Sequence, residues 1–416
     1  MANTKLSFTP SQDGTRTKYT FSFWIKRSGL SSGQSPIVSS DLSNSNNTYS
    51  MIYFVNDVLA FYSTDNGQTL YFLTNQKFRD VNGWYHIVVA YDSPQATSSN
   101  RVKMYVNGEQ ITSWDTASYP SQNADNTWFN RAYEMVIGTR SYDNNTYFDG
   151  VMSHFHFCDG YAYSASDFGS TDATTGEWKI NTSPNVNYGT NGFFILKDGN
   201  SVTDQSNNSN NWTVASGTLT KTEDNPSNVF CTLNSLAKGT SAPTFSMGNN
   251  RVVATATSYQ FSCGTLAIPL YGKWYWEVKA DNNVNGSNSE YLIGAVLESR
   301  LQASSNFAEF ASDGITQYGS VSPNIGANDI ISVAVDRTAA TLKIYKNDSL
   351  ILTKTSLPTE LIFPMVTVFG SGVNAYSNFG NGYFGTTAVS SPGTNASNLG
   401  IFEYDVPTGY TALCTK

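Results

Sequence analysis

The sequence predicts an all-β chain, two β-sandwiches joined by a turn-rich connector. Three observations carry this prediction. Apolar and polar residues alternate with a period of two in many short stretches, the spacing of a half-buried strand. Turn signals such as Asn107-Gly108 and Asn347-Asp348 separate those stretches. Only 13% of the residues are charged and 14% are aromatic, whereas soluble proteins average about 25% charged. Such a composition lacks the Glu, Lys and Arg of helical bundles and suits pleated, uncharged surfaces. Its aromatic content also excludes a disordered chain.

In YTFSFWIKR, Tyr19, Phe21, Phe23 and Ile25 alternate with Thr20, Ser22, Trp24 and Lys26, which predicts a strand with one strongly apolar face. SMIYFV and LAFYST follow across Asn56-Asp57, and TLYFLTN follows Asn66-Gly67. WYHIVVAYD (84–92) is apolar on both faces, so it should be a central strand. RVKMYVNGEQI (101–111) turns back at Asn107-Gly108. Residues 112–131 read as a long loop, too polar for a strand and too rich in Pro and Asn for a helix. EMVIGTR and FDGVMSHFHFCDG return to strand patterning, and SASDFG fits one helical turn.

Turn-rich runs such as NTSPNVNYGTNG and DQSNNSNN mark residues 161–245 as an ordered connector, because apolar residues recur too often for a free linker. The β pattern restarts with VVATATSYQFS. In GKWYWEVKA, Trp274, Trp276 and Val278 face one way, as core, and Tyr275, Glu277 and Lys279 the other. YLIGAVLE, DIISVAVD, TLKIYKNDSLIL and LIFPMVTVFG complete a second sandwich. VVAYD leading to RVKMYVNGEQI, and VAVD leading to TLKIYKNDSLI, form an internal echo without a solenoid period. The expected domains are 1–160, the connector 161–245, 246–385, and a C-terminal extension 386–416.

The formal net charge is −8 and no cluster of Lys and Arg occurs, which argues against nucleic acid and anionic membrane surfaces as partners. No apolar run reaches the roughly 18 residues of a membrane span. MANTKLSFTP lacks the apolar core of a secretory signal, so synthesis and assembly in a cytoplasm are expected. Cys158, Cys231, Cys263 and Cys414 lie far apart, outside any CxxC pair, and read as buried free thiols.

Catalytic signatures are mostly missing. Glu403 and Asp405 lie two residues apart, the spacing of a glycosidase pair, but in a segment outside both sandwiches. Glu223-Asp224 reads as turn chemistry before Asn225-Pro226. His154 and His156 would share a strand face with Asp159 close by, a thin set of metal ligands, and His86 reads as a satisfied core histidine. No catalytic residue is assigned. Carbohydrate recognition, by contrast, needs aromatic faces with amides and hydroxyls. The 112–130 loop supplies Trp114, Tyr119 and Trp128 with Gln122, Asn123 and Asn126, and the next turn adds Tyr142, Asn144, Asn145 and Tyr147. The competing role of each aromatic is packing against its own sheet or a neighbouring subunit.

FSFWIKR, GWYHIVVAYD, VKMYVNGEQI, IGTR and FDGVMSHFHFCDG, in that order, make residues 1–160 resemble the laminin-G-like, concanavalin A-like jelly rolls. KWYWEVKA, YLIGAVL, DIISVAVDRTAATLKIYKND, FPMVTVFGSG and SNFG make residues 271–380 resemble a SPRY domain. The pairing of these modules, with TEDNPSNVF between them and VPTGYTALCT at the end, is similar to structural proteins of marine bacteriophages. The resemblance implies a non-enzymatic virion-surface protein: a capsid decoration, head fibre or tail appendage. It would attach to host-surface glycan or to other virion proteins, as a homo-oligomer. The alternatives are a glycan-cleaving depolymerase on the same fold and a purely structural cement protein. No cofactor is expected, apart from calcium held at a jelly-roll rim. Candidate calcium loops are 41–47 and 198–211, with Asp198 and Asp204 as hard oxygen ligands. In SPRY domains end loops bind the partner, which here implies 282–289 and 301–313.

Overall fold

The computed structural model describes residues 3–30, 33–42, 46–197, 201–237, 241–281, 290–301 and 325–416. The chain divides into two compact units, Met1–Lys221 and Thr222–Lys416. Strands dominate both, and the described residues contain no α-helix, only short 3-10 turns.

The strands of the first unit are β1 (Lys5–Phe8), β2 (Lys18–Arg27), β3 (Gln34–Asp41), β4 (Thr48–Val55), β5 (Val58–Asp65), β6 (Gln68–Lys77), β7 (Trp84–Asp92) and β8 (Val102–Val106). They continue with β9 (Glu109–Gln110), β10 (Trp114–Ser118), β11 (Met135–Ile137), β12 (Gly150–Asp159), β13 (Gly169–Thr171), β14 (Trp178–Ile180), β15 (Phe193–Ile195) and β16 (Thr213–Ser216). An eight-stranded sheet runs β10-β6-β5-β4-β3-β11-β1-β16, and a six-stranded sheet runs β15-β12-β2-β7-β8-β9. Phe21 and Phe23 of β2, Val89 and Tyr91 of β7, and Phe155 and Phe157 of β12 share one core with Ile52, Phe54, Phe61 and Phe72 of β4 to β6. The central placement expected for 84–92 holds: β7 lies between β2 and β8.

Three features depart from the sequence expectation. Residues 161–221 belong to the first unit rather than to a separate connector. β15 pairs with β12 and β16 with β1, and Phe193, Ile195 and Trp212 are at most 2% exposed in the jelly-roll core. Within 112–131, Trp114–Ser118 is a strand, β10, on the edge of the eight-stranded sheet beside β6. Its polar residues sit on that edge and Trp114 faces Phe72. The outer face of β2 and β7 is buried as well. Residues 161–188 cross it, with Ala165, Phe168, Tyr163, Trp178 and Tyr188 closing over Val88 and Cys158.

That cover explains the histidines. The Trp178 indole N–H donates to Nδ1 of His86 at 3.0 Å, which leaves the proton on Nε2 to donate to Ser22 Oγ at 2.9 Å. His86 stacks on Trp24 and lies nearly coplanar with Trp178, and burial pushes its pKa down to about 3. A bulge between Ser153 and His156 breaks the alternation of β12, with His154 at a φ of 48°. The two histidines therefore do not sit as simple i, i+2 neighbours. His156 hydrogen-bonds the Tyr188 hydroxyl and stacks on Phe194, while His154 Nδ1 meets Ser153 Oγ.

The second unit has β17 (Thr244–Ser246), β18 (Arg251–Val253), β19 (Tyr259–Cys263), β20 (Lys273–Ala280), β21 (Glu290–Leu297), β22 (Ile330–Asp336), β23 (Thr341–Lys346), β24 (Ser349–Thr355), β25 (Ile362–Phe369), β26 (Asn374–Asn378), β27 (Tyr383–Phe384), β28 (Thr387–Ala388) and β29 (Thr411–Ala412). One sheet runs β17-β18-β26-β20-β22-β23-β24, with β29 parallel to β20, and it faces a three-stranded sheet, β19-β25-β21. Trp276 and Val278 lie in the core between them, and Trp274 packs at its margin. The C-terminal residues form a strap over the other face of β20 and β22, where Phe402, Val406, Tyr410 and Ala412 close on Tyr275 and Ala334. The four cysteines are free and buried.

Candidate functional site

On β4 the residues alternate between the two faces of the eight-stranded sheet. Ile52 and Phe54 enter the jelly-roll core, so Tyr49, Met51 and Tyr53 point outward. Cross-strand register continues this outward set. Tyr62 of β5 lies opposite Met51, Ala60 opposite Tyr53, and Tyr71 of β6 opposite Tyr62. The loop after β11 adds Tyr142.

The result is an unbroken row of tyrosines. Ring centroids are 4.8 Å apart for Tyr142–Tyr49, 5.4 Å for Tyr49–Tyr62 and 5.3 Å for Tyr62–Tyr71. The neighbouring Tyr71 hydroxyl adds to the rise in the Tyr53 pKa that burial begins. Met51 and Ala60 form the apolar floor, with Val55 and Leu73 at the margin. Tyr62, Tyr71 and Tyr142 are half-buried, so each offers part of its ring to solvent. Burial raises the hydroxyl pKa of Tyr49, Tyr53 and Tyr142, which keeps these groups as neutral donors and acceptors at physiological pH. Such a face combines flat apolar area with hydroxyls at little cost in side-chain entropy, the combination that adaptable recognition surfaces use.

Arg140 borders the row. Its Nε donates to Asp143 Oδ1 at 3.1 Å, its Nη2 to Asp143 Oδ2, and its Nη1 to Gln34 Oε1 at 3.0 Å. The guanidinium lies over the Tyr142 ring, 5.1 Å from its centroid. Asp41, opposite Tyr49 on β3, is a buried carboxylate on this side.

Of the binding residues expected from sequence, Tyr142 belongs to this row, and Asn144 and Tyr147 lie in the same loop. Asn144 donates its backbone N–H to Arg140, and Tyr147 bridges to Thr139. The others lie elsewhere. Trp114 and Tyr119 both pack edge-on against Phe72. Trp128 is 3% exposed and gives its indole N–H to the Thr64 carbonyl at 2.7 Å. Asn123 turns the chain at a φ of 62°, donating its N–H to Ser93. Buried Asn126 caps the Trp128 and Phe129 amides. Sequence reading missed Tyr49, Tyr53, Tyr62 and Tyr71, although their period-two spacing in β4 to β6 carried the signal.

The metal and catalytic candidates have structural partners. The two carboxylate oxygens of Asp204 accept the N–H groups of Phe194, Ser206 and Asn210 and the Ser206 hydroxyl, at 2.8–2.9 Å. These donors fill the lone pairs that a cation would need. Asp198 and the loop 282–289 lie outside the described residues, as do parts of 41–47 and 301–313. Among the described residues no three His, Cys, Asp or Glu side chains gather as a metal site. Glu403 accepts from Ser390, and Asp405 from Thr394, so each carboxylate pins a turn of the C-terminal strap. Asp224 takes the Phe230 N–H next to the Asn225–Asn228 turn.

The sequence profile of the family described as the concanavalin A-like lectin/glucanases superfamily, of laminin-G type, matches residues 2–168. Among solved structures, the chain is similar to a native heptameric SAP-like pentraxin from Limulus polyphemus, at 18% identity and a TM-score of 0.29, covering 39% of this chain and 71% of that one. It is also similar to the SPRY domain of human HERC1, at 11% identity and a TM-score of 0.27, covering 35% of this chain and 96% of that one. No curated protein sequence matches the chain. The chain is thus an all-β protein carrying a concanavalin A-like jelly-roll domain, a lectin-like fold suited to binding carbohydrate or protein.

Proposed function

We propose that this chain is a non-enzymatic attachment protein whose first unit binds surface glycan on the outward tyrosine row of its eight-stranded sheet. The observation that carries the reading is the continuous run Tyr142–Tyr49–Tyr62–Tyr71 with Tyr53 beside it, in which Tyr62, Tyr71 and Tyr142 are half-open to solvent over the buried Tyr49 and Tyr53. Aromatic area with neutral hydroxyls suits the apolar faces and hydroxyl rims of sugars. The setting we propose is a virion surface, assembled in a bacterial cytoplasm. What supports it is the resemblance of the paired modules, and of the ending VPTGYTALCT, to bacteriophage structural proteins. The low charge supports close packing of identical copies and contact with other virion proteins. The second unit would serve as a SPRY-like partner module, and no cofactor is required.

The test is a glycan array probed with the full chain and with Tyr62→Ala and Tyr71→Ala. Binding by the parent chain that each substitution weakens by tenfold or more supports the reading. Undiminished binding by both variants, with folding intact by circular dichroism, removes the row from the site. Cleavage products in the same incubation would favour a depolymerase. Capsid binding without glycan binding would favour a cement protein.

A further inference from the structure

The charges around the tyrosine row fix which glycans it can take. Arg140 is the cation that the described structure places against it, over Tyr142 and next to Tyr49. Three of that cation's five N–H donors are taken. Asp143 holds it from two sides, through Nε and Nη2, and Gln34 takes Nη1. Asp143 is itself braced, because its Oδ1 also accepts the Asn145 N–H at 3.1 Å. A bidentate guanidinium–carboxylate pair is planar and directional, so Asp143 fills the Nε/Nη2 fork and neutralises the charge that would draw a second carboxylate or a sulfate. An anionic sugar brought to this face would meet an arginine whose charge Asp143 already neutralises.

Resting on the glycan-binding reading above, we infer that the Arg140–Asp143 pair makes the site selective for neutral glycans over uronic-acid or sulfated ones. The pair also sets the tilt of Tyr142, because the ring packs under the guanidinium. Removing the carboxylate while keeping the arginine would convert the same surface into an acid-sugar site. Asp143→Asn keeps one accepting oxygen, so it frees one of the two donors and leaves the arginine's charge uncompensated, and a charge-assisted pair at a partly exposed site is worth about tenfold or more in affinity.

The experiment uses the full chain on an array of neutral, uronic-acid and sulfated oligosaccharides. It compares the parent with Asp143→Asn and with the double variant Asp143→Asn/Arg140→Met, each checked by thermal unfolding. The expected result is neutral-only binding by the parent, a gain of at least about tenfold toward acidic sugars in Asp143→Asn, and loss of that gain in the double variant. Neutral binding by the parent with no acidic gain in Asp143→Asn overturns the inference alone. Equal binding of neutral and acidic sugars by the parent also overturns it. Absence of any glycan binding by parent and variants overturns the underlying reading and this inference with it.

Discussion

Raising the pH from about 5 to about 8.5 is expected to weaken the second unit through one buried group, Glu277. This side chain is 0% exposed, on the face of β20 that the C-terminal strap covers. Its carboxyl accepts the backbone N–H groups of Glu403 at 2.9 Å and Tyr404 at 3.0 Å, the Tyr275 hydroxyl at 3.1 Å and the Asn378 amide at 3.4 Å. All four partners are uncharged. Burial raises its pKa from the ordinary 4.5 to about 7, and the four hydrogen bonds offset only part of that rise. A raised folded pKa means that the folded state holds the proton more tightly than the unfolded chain. The group's contribution is therefore complete below about pH 4.5 and is lost as the pH rises through about 7. At about 1.36 kcal/mol per pKa unit, the loss between pH 5 and pH 8.5 is about 2.5 kcal/mol. The assay is urea unfolding at both pH values for the parent chain and for Glu277→Gln. The variant loses some hydrogen bonding at every pH, so the informative quantity is the difference in pH dependence. The parent should lose about 2.5 kcal/mol more than the variant across this range. Equal pH slopes, or a parent that gains stability relative to Glu277→Gln at pH 8.5, would refute the reasoning.

Other outcomes follow from the same packing. A chain ending at residue 160 should fail to fold, while one ending at 221 should fold. The shorter chain lacks Phe193, Ile195 and Trp212, each worth about 1.5–3 kcal/mol of burial, a sum comparable with a domain's whole stability; a cooperative thermal transition in the 1–160 chain would contradict this. Trp178→Ala should cost about 2–4 kcal/mol, because it opens the cover over β2 and β7 and strips Nδ1 of His86 of its donor; chemical denaturation measures it. In the parent, nitrogen NMR should show His86 neutral, with its proton on Nε2, from about pH 4 to pH 8, since its pKa lies near 3. A titration of its ring nitrogens near pH 6 would contradict the stacked, buried position.

The β class, the hairpins and the central strand at 84–92 were legible in the sequence, because side-chain alternation and Asn-Gly turns are local properties of the chain. The inward sets Phe21, Phe23 and Trp276, Val278 could be read from alternation alone. What lay out of reach were pairings between distant segments. Ser216 meets Lys5 across the sequence of the whole first unit, and nothing in the polar run around it announces that partner. The bulge in β12 was hidden for a related reason: MSHFHF alternates well in either phase, and only pairing with β2 decides where the extra residue sits. The tyrosine row shows the limit most clearly. Its residues on β4, β5 and β6 stand in strands that are apolar on both faces, so period two names two candidate sets without saying which looks outward. Sequence by itself determined that this protein is built of aromatic-rich strands with little charge. Only the tertiary structure decided which aromatics are core and which form a surface, because that choice depends on register across β4, β5 and β6 and on what the rest of the chain covers.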